Sequence, residues 1–188
     1  AKHYALHSGP EWARHSFDAV ASEKDLWETY LPAFKDLVQK SDVDQVMFAY
    51  NRMYGDPAGA NMRFLRDILE DEWGFDGIVV SDCWAVNDFY NGHKWVKTQA
   101  EAAAASIKAG MDLECGDDLW GIPEAIRQGL IAEKDLDESL VKLFEFRYRM
   151  GEMDGESPWD NLPLDRLCSQ EHADLALKMA RESVVLLE

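Results

Sequence analysis

Asp82 is the carboxylate in this chain whose surroundings best suit it to chemistry. It closes the run Ile78-Val79-Val80-Ser81, which follows Trp73-Gly74-Phe75-Asp76-Gly77 and leads into Cys83. Consecutive β-branched apolar residues that stop at a small hydroxyl residue read as a short buried strand. A carboxylate at the C-terminal tip of such a strand sits where parallel α/β folds bind ligands and where barrels present catalytic groups. The bland rival is an N-cap for the next helix. Repetition favours chemistry, because two more strand-like runs, Asp44–Tyr50 and Met111–Cys115, also end in polar groups suited to a small polar substrate.

The elements that must position these groups alternate. Lys2–Leu6 reads as a short strand, broken by Ser8-Gly9-Pro10. Ser22 is a good N-cap, and Leu26, Leu31, Phe34, Leu37 and Val38 recur at helical spacing around Pro32. After the Asp44–Tyr50 strand, Asn61 can cap a helix carrying Phe64, Leu65, Ile68 and Leu69 on one face and ending at Gly74. The Ile78–Val80 strand, an alanine-rich helix from Thr98 to Ala109 and the Met111–Cys115 strand come next. Helices near Trp120–Gly129 and Leu136–Met150 follow. This β-α-β-α-β-α-β-α order predicts parallel strands joined by right-handed crossovers, as in half of a (β/α)8 barrel or a small doubly wound sheet. Met153–Pro163 reads as a linker. Glu171–Glu182 reads as a helix, and Ser183-Val-Val-Leu-Leu as a strand-like run leading toward a further domain.

Composition removes several function classes. The 188 residues include 36 acidic and 19 basic side chains, a formal charge of −17. Such a surface repels phosphate backbones, so nucleic acid is not an expected partner. No apolar run is long enough for a membrane span, and no signal peptide follows Lys2 and His3. Cys83, Cys115 and Cys168 lack metal-ligand spacing and are read as free thiols, with a single disulfide as the alternative. His93 near Asp88 is the only hint of a metal pair, and no metal or cofactor is expected.

Several motifs, in order and spacing, carry a specific likeness. They are Lys2-His3-Tyr4-Ala5, Glu28-Thr29-Tyr30-Leu31-Pro32-Ala33-Phe34 and Val46-Met47-Phe48-Ala49-Tyr50-Asn51. Glu72–Gly77 running into Val80-Ser81-Asp82, and Ala109-Gly110-Met111-Asp112-Leu113, complete them. On these the chain resembles the family 3 glycoside hydrolases, the β-glucosidase and β-xylosidase group. The resemblance implies an α/β fold of (β/α)8 TIM-barrel type, of which residues 1–151 are about the second half. Residues 152–188 would be a linker and the start of a following domain. It implies a retaining exo-β-glycosidase acting on a β-linked oligosaccharide or glycoside, with Asp82 as nucleophile and Lys2 and His3 holding sugar hydroxyls. Arg14 falls where related sequences carry an arginine, and Met47 and Tyr50 match positions flanking the nucleophile and the sugar ring.

The departures matter too. Ser-Asp-Cys and Met-Asp-Leu-Glu-Cys-Gly look like the β-xylosidase branch, but that branch usually has a small residue where Trp84 stands. The acid/base would come from outside these residues. His15 falls at the offset of a catalytic histidine in the N-acetylglucosaminidase branch, yet Ala13 replaces that branch's aspartate, so His15 is read as a surface histidine beside Arg14. The chain by itself, without its barrel partner half and following domain, is expected to be inactive and to self-associate. The alternative reading is a non-catalytic fragment or degenerate sugar-binding module.

Overall fold

The computed structural model describes residues 1–153, 155 and 160–187. They fall into two compact units, Ala1–Phe146 and Arg147–Glu188.

The first unit is α/β. In chain order its strands are β1 (Lys2–Tyr4), β2 (Asp18–Ala19), β3 (Gln45–Phe48), β4 (Arg52–Met53), β5 (Asp56–Pro57) and β6 (Ile78–Ser81). The main sheet is β1-β3-β6, parallel throughout and in sequence order, as the alternating pattern predicts. Lys2, Met47 and Val80 stand in one row of the ladder, and Tyr4, Phe48 and Ser81 in another. A small second sheet pairs β2 parallel to β4 and β4 antiparallel to β5.

The helices follow their sequence signals closely. α1 (Glu23–Asp25) starts at Ser22, whose hydroxyl accepts the Asp25 N–H, and runs into a wider turn, Leu26–Tyr30. Pro32 is the first residue of α2 (Pro32–Ser41), where its missing N–H costs nothing. The helical run Arg63–Glu72 is capped by the Asn61 side chain, which accepts the Phe64 N–H, and it buries Phe64, Leu65, Ile68 and Leu69. α3 (Ala85–Asp88) is a single turn after the Asp82 strand. α4 (Gln99–Lys108) opens with a capping box between Thr98 and Glu101. Its buried Ala100, Ala102, Ala103 and Ala104 allow close packing of α5 (Ile122–Arg127). α6 (Lys134–Arg149) is amphipathic, and only Ser139 on it is fully buried. The main core cluster is built on Tyr4, Phe48, Phe64, Leu65, Val79 and Met111, and a second, smaller one on Ala100, Ala104, Ala125 and Ile131.

Three expectations need correction. Met111–Cys115 is not a full strand: only a single parallel bridge, Val80 to Leu113, is formed. Asp112 explains this, because its carboxylate takes the Val79 N–H at 2.9 Å and so replaces a backbone acceptor in the ladder. The Trp120–Gly129 helix is shorter than expected, a tight turn at Asp118–Gly121 leading into α5. The thiols are not all free: Cys83 and Cys115 form a disulfide, and only Cys168 is unpaired among the described cysteines.

The second unit holds a short turn at Leu164–Arg166 and α7 (Gln170–Ser183), capped by the Ser169 hydroxyl. Residues 184–187 form no strand, and residues 154 and 156–159 of the expected linker lie outside the described residues. Among the described residues no helix is long and apolar enough to cross a membrane.

Candidate active site

All three main strands run the same way, so their C-terminal ends share one rim. In β3 the alternation is clean: Val46 and Phe48 are fully buried against the helices, while Met47 on the other face is half-buried. Lys2, Met47 and Val80 pair in register, and Asp82 lies two residues beyond Val80. The sheet therefore puts Lys2, Met47 and Asp82 on its open face.

Asp82 is 9% exposed. One carboxylate oxygen accepts the Cys83 N–H at 2.8 Å, and the other lies 3.3 Å from His3 Nε2. α3 begins after Trp84 with no side-chain cap, so Asp82 does not serve as a helix cap. His3 reaches it through an irregularity in β1. The register slips between Lys2 and Tyr4, so that His3 is an extra residue opposite β3. Such a bulge re-aims a side chain at a sheet rim. Burial holds the His3 pKa below its usual value, with the Asp82 charge opposing and His7 and Lys2 adding to the drop. At neutral pH His3 is therefore a neutral imidazole, and Nε2–H beside a carboxylate makes it a donor.

Tyr50 completes this group from the segment after β3. Its hydroxyl donates to the Cys83 carbonyl at 2.9 Å, and its pKa is raised, first by burial and then by the Asp82 charge. The Arg14 guanidinium lies 5.3 Å from the Tyr50 ring centre and pairs with Glu11 at 2.9 Å. Thus His3, Tyr50 and Asp82 meet directly, Arg14 joins through the Tyr50 ring, and Met47 and Lys2 occupy the same face. Lys2 is exposed.

The structure adds His7, which the sequence reading passed over, and corrects the reading of His15. His7 faces His3 at 5.1 Å between ring centres and shares a 3.0 Å hydrogen bond with Asn51. His15 is half-exposed but more than a surface residue. Its ring lies 4.5 Å from that of Tyr50, and its Nδ1 is 2.7 Å from the buried Asp88 carboxylate. Burial raises the Asp88 pKa, and His15 opposes that shift. The loops after β1 and β6 thus close over Tyr50, and Gly92 shows how tightly: a Cβ there would stand 2.1 Å from the His15 carbonyl oxygen. Among the described residues no group of three His, Cys, Asp or Glu is arranged to hold a metal ion.

The chemistry available is an ionisable carboxylate at a strand tip, held by neutral donors, on a face carrying a lysine, a histidine and a tyrosine. Comparison with known proteins bears on the family of the chain. Residues 1–146 match the model of the glycosyl hydrolase family 3 N-terminal domain. A xylan 1,4-beta-xylosidase of Xylanibacter ruminicola is 45% identical over the whole chain, which spans 22% of that relative. Among solved structures, a GH3 exo-beta-xylosidase in complex with a xylobiose aziridine activity-based probe superposes with a TM-score of 0.91 at 32% identity. That match covers all of this chain and 25% of the other. A Listeria innocua beta-glucosidase in complex with isofagomine gives a TM-score of 0.88 at 30% identity, over all of this chain and 26% of its own. The chain spans about a quarter of the length of the relatives it matches.

Proposed function

The chain belongs to glycosyl hydrolase family 3, and from that membership we propose that it carries the nucleophile of a retaining exo-β-glycosidase of β-xylosidase or β-glucosidase type. The observation that carries the reading is the setting of Asp82. It is a nearly buried carboxylate at the tip of a parallel strand, gripped by a backbone N–H and facing His3 at 3.3 Å.

In this account Asp82 attacks the anomeric carbon and displaces the leaving oxygen, giving a covalent glycosyl ester that water then hydrolyses. Splitting one difficult displacement into two easier ones is the purpose of such an intermediate. Retention requires a second carboxyl-type group roughly 5–5.5 Å from the nucleophile, acting first as acid and then as base. That group is assigned to a part of the protein outside residues 1–188. His3, as a neutral donor, and Lys2 hold sugar hydroxyls, Arg14 and Tyr50 wall the site, and Met47 lies under the ring.

The domain reading follows the same lines. Residues 1–151 are taken as the later part of a (β/α)8 barrel, supported by three parallel strands in sequence order with helical crossovers. Residues 152–188 are taken as the passage to a following domain. A panel of nitrophenyl β-xyloside, β-glucoside and α-arabinofuranoside on the full-length protein tests the function. Turnover of a β-glycoside that Asp82→Ala abolishes while the fold survives is the expected result. Unchanged turnover in Asp82→Ala would reject Asp82, and no turnover of any glycoside by the wild type would reject the glycosidase reading.

A further inference from the structure

We propose that the Cys83–Cys115 disulfide is a positioning device for the Asp82 carboxylate, so that turnover is fast only while the bridge is oxidised. The inference rests on the reading of Asp82 as nucleophile.

Cys83 is the junction of the site. Its N–H holds one Asp82 oxygen at 2.8 Å, its carbonyl accepts the Tyr50 hydroxyl at 2.9 Å, and its sulfur is bonded to Cys115. Two side chains of the candidate site therefore depend on where one backbone unit stands. Cys115 in turn is tied to the strand that carries Asp82. Its N–H donates to the Ser81 hydroxyl at 2.8 Å, and its carbonyl accepts the Trp84 N–H at 2.7 Å. The bridge and these two hydrogen bonds enclose Asp82 on both sides in sequence, and Leu113, two residues before Cys115, pairs with Val80 on the same strand.

Trp84 shows that this closure imposes a backbone path the chain would not choose. It lies at φ +62°, in the left-handed region, which a bulky residue adopts only when its surroundings over-determine it. Its indole is exposed, so side-chain packing does not enforce that conformation. The enforcement comes from the backbone, with the disulfide immediately before Trp84 and the Cys115 carbonyl on its own N–H. Releasing the bridge lets Trp84 relax, and Cys83 moves with it, taking the N–H from Asp82 and the carbonyl from Tyr50. His3 and Lys2 sit on β1 and are not attached to this loop, so sugar binding should suffer less than chemistry.

Cys83 and Cys115 are half-buried rather than sealed in the core, so a small dithiol can reach them. The reaction is an exchange. A dithiothreitol thiolate attacks one sulfur, the S–S bond breaks, and the second thiol closes the reagent to its cyclic disulfide. Two electrons and two protons are thereby delivered to Cys83 and Cys115. Bridges of this kind persist in oxidising compartments, which ties the activity to such a compartment.

The test uses the full-length protein. Turnover of nitrophenyl β-xyloside and β-glucoside is measured before reduction, after reduction by dithiothreitol and after reoxidation. The state of the Cys83 and Cys115 peptides is read by mass spectrometry and the fold by circular dichroism. A displacement of reacting groups by an ångström can cost on the order of 100-fold in rate. The expected result is a fall in kcat of about 10-fold or more on this scale, with KM changed less than about twofold, restored on reoxidation. The double variant Cys83→Ala/Cys115→Ala should match the reduced enzyme in kcat and KM and be indifferent to dithiothreitol. A folded, reduced enzyme or double variant with the oxidised kcat overturns the proposal. So does loss of the fold on removing the bridge, since the bridge would then hold the fold rather than the carboxylate. No turnover by the oxidised wild type is a different outcome, and it rejects the glycosidase reading itself.

Discussion

Acid should destabilise this protein through one histidine more than through any other imidazole. His93 is 8% exposed, and neither ring nitrogen has a hydrogen-bond partner. Its ring is stacked near Phe89 at 6.4 Å between centres. Burial, and then the Arg52 guanidinium, push its pKa down to about 4, while a looser approach to the Tyr50 backbone and to Asp18 pulls the other way. In the unfolded chain the same imidazole titrates near 6.5. Above about pH 6.5 it is neutral in both states and costs nothing. As the pH falls from 6.5 to 4 the unfolded state binds a proton that the folded state refuses, so stability declines until the folded pKa is reached. A difference of that size is worth about 3 kcal/mol in full, and about 2 kcal/mol of it is lost between pH 7 and pH 5. His93→Phe removes the titration and the two unpaired nitrogens while keeping an aromatic ring against Phe89. Urea unfolding of both proteins at pH 7, 6 and 5 provides the comparison, the carboxylates being common to both. The variant should lose about 2 kcal/mol less than the wild type between pH 7 and pH 5. Parallel stability curves for the two proteins would refute the argument.

Gly92→Ala should force the loops after β1 and β6 apart, because the new Cβ meets the His15 backbone oxygen at 2.1 Å and Asp88 Oδ1 at 2.9 Å. A cost of about 1–3 kcal/mol is expected for such overpacking, read as a lower urea midpoint together with weaker binding of a sugar analogue; an unchanged midpoint would contradict it. Lys142→Met should leave the buried Asp112 carboxylate without its cation, which lies 3.8 Å away, while Glu70, 3.0 Å from the same ammonium, keeps its pairing with Arg66. Because the lysine is 19% exposed, a loss of about 1–3 kcal/mol at pH 7 is expected, shrinking as the pH is lowered and Asp112, whose pKa burial raises, takes up its proton. A loss that is constant down to pH 4 would contradict that account.

What the sequence disclosed depended on whether a feature was local. The β6 run Ile78–Ser81 and the helix carrying Phe64, Leu65, Ile68 and Leu69 announce themselves by residue type and period, and the helix caps Ser22 and Asn61 sit where expected. The two-residue strands β2, β4 and β5 are too short to have a period at all. Met111–Cys115 misleads because a side chain, Asp112, occupies a ladder donor, a substitution no hydropathy pattern records. The disulfide spans 32 residues, beyond any spacing rule. The available signal was positional: Cys83 lies three residues past Val80 and Cys115 two past its bridge partner Leu113, at the same end of the two segments, and their Cα atoms stand 4.4 Å apart. The His15–Asp88 pair joins residues 73 apart, and only the meeting of two loops over Tyr50 reveals it. The grouping of Asp82 with Lys2 and His3 was legible only through the family motifs, because the slip in β1 that turns His3 toward Asp82 leaves no mark in composition.

The most direct test of the central claim is to trap the glycosyl-enzyme. Incubating the full-length protein with an activated 2-deoxy-2-fluoro-β-glycoside, xylosyl or glucosyl according to the substrate panel, slows both steps and lets the ester accumulate. Peptide mass spectrometry should then find one fluorosugar, attached to the peptide that contains Asp82, with no labelling in Asp82→Ala. Covalent sugar on any other carboxylate would contradict the account.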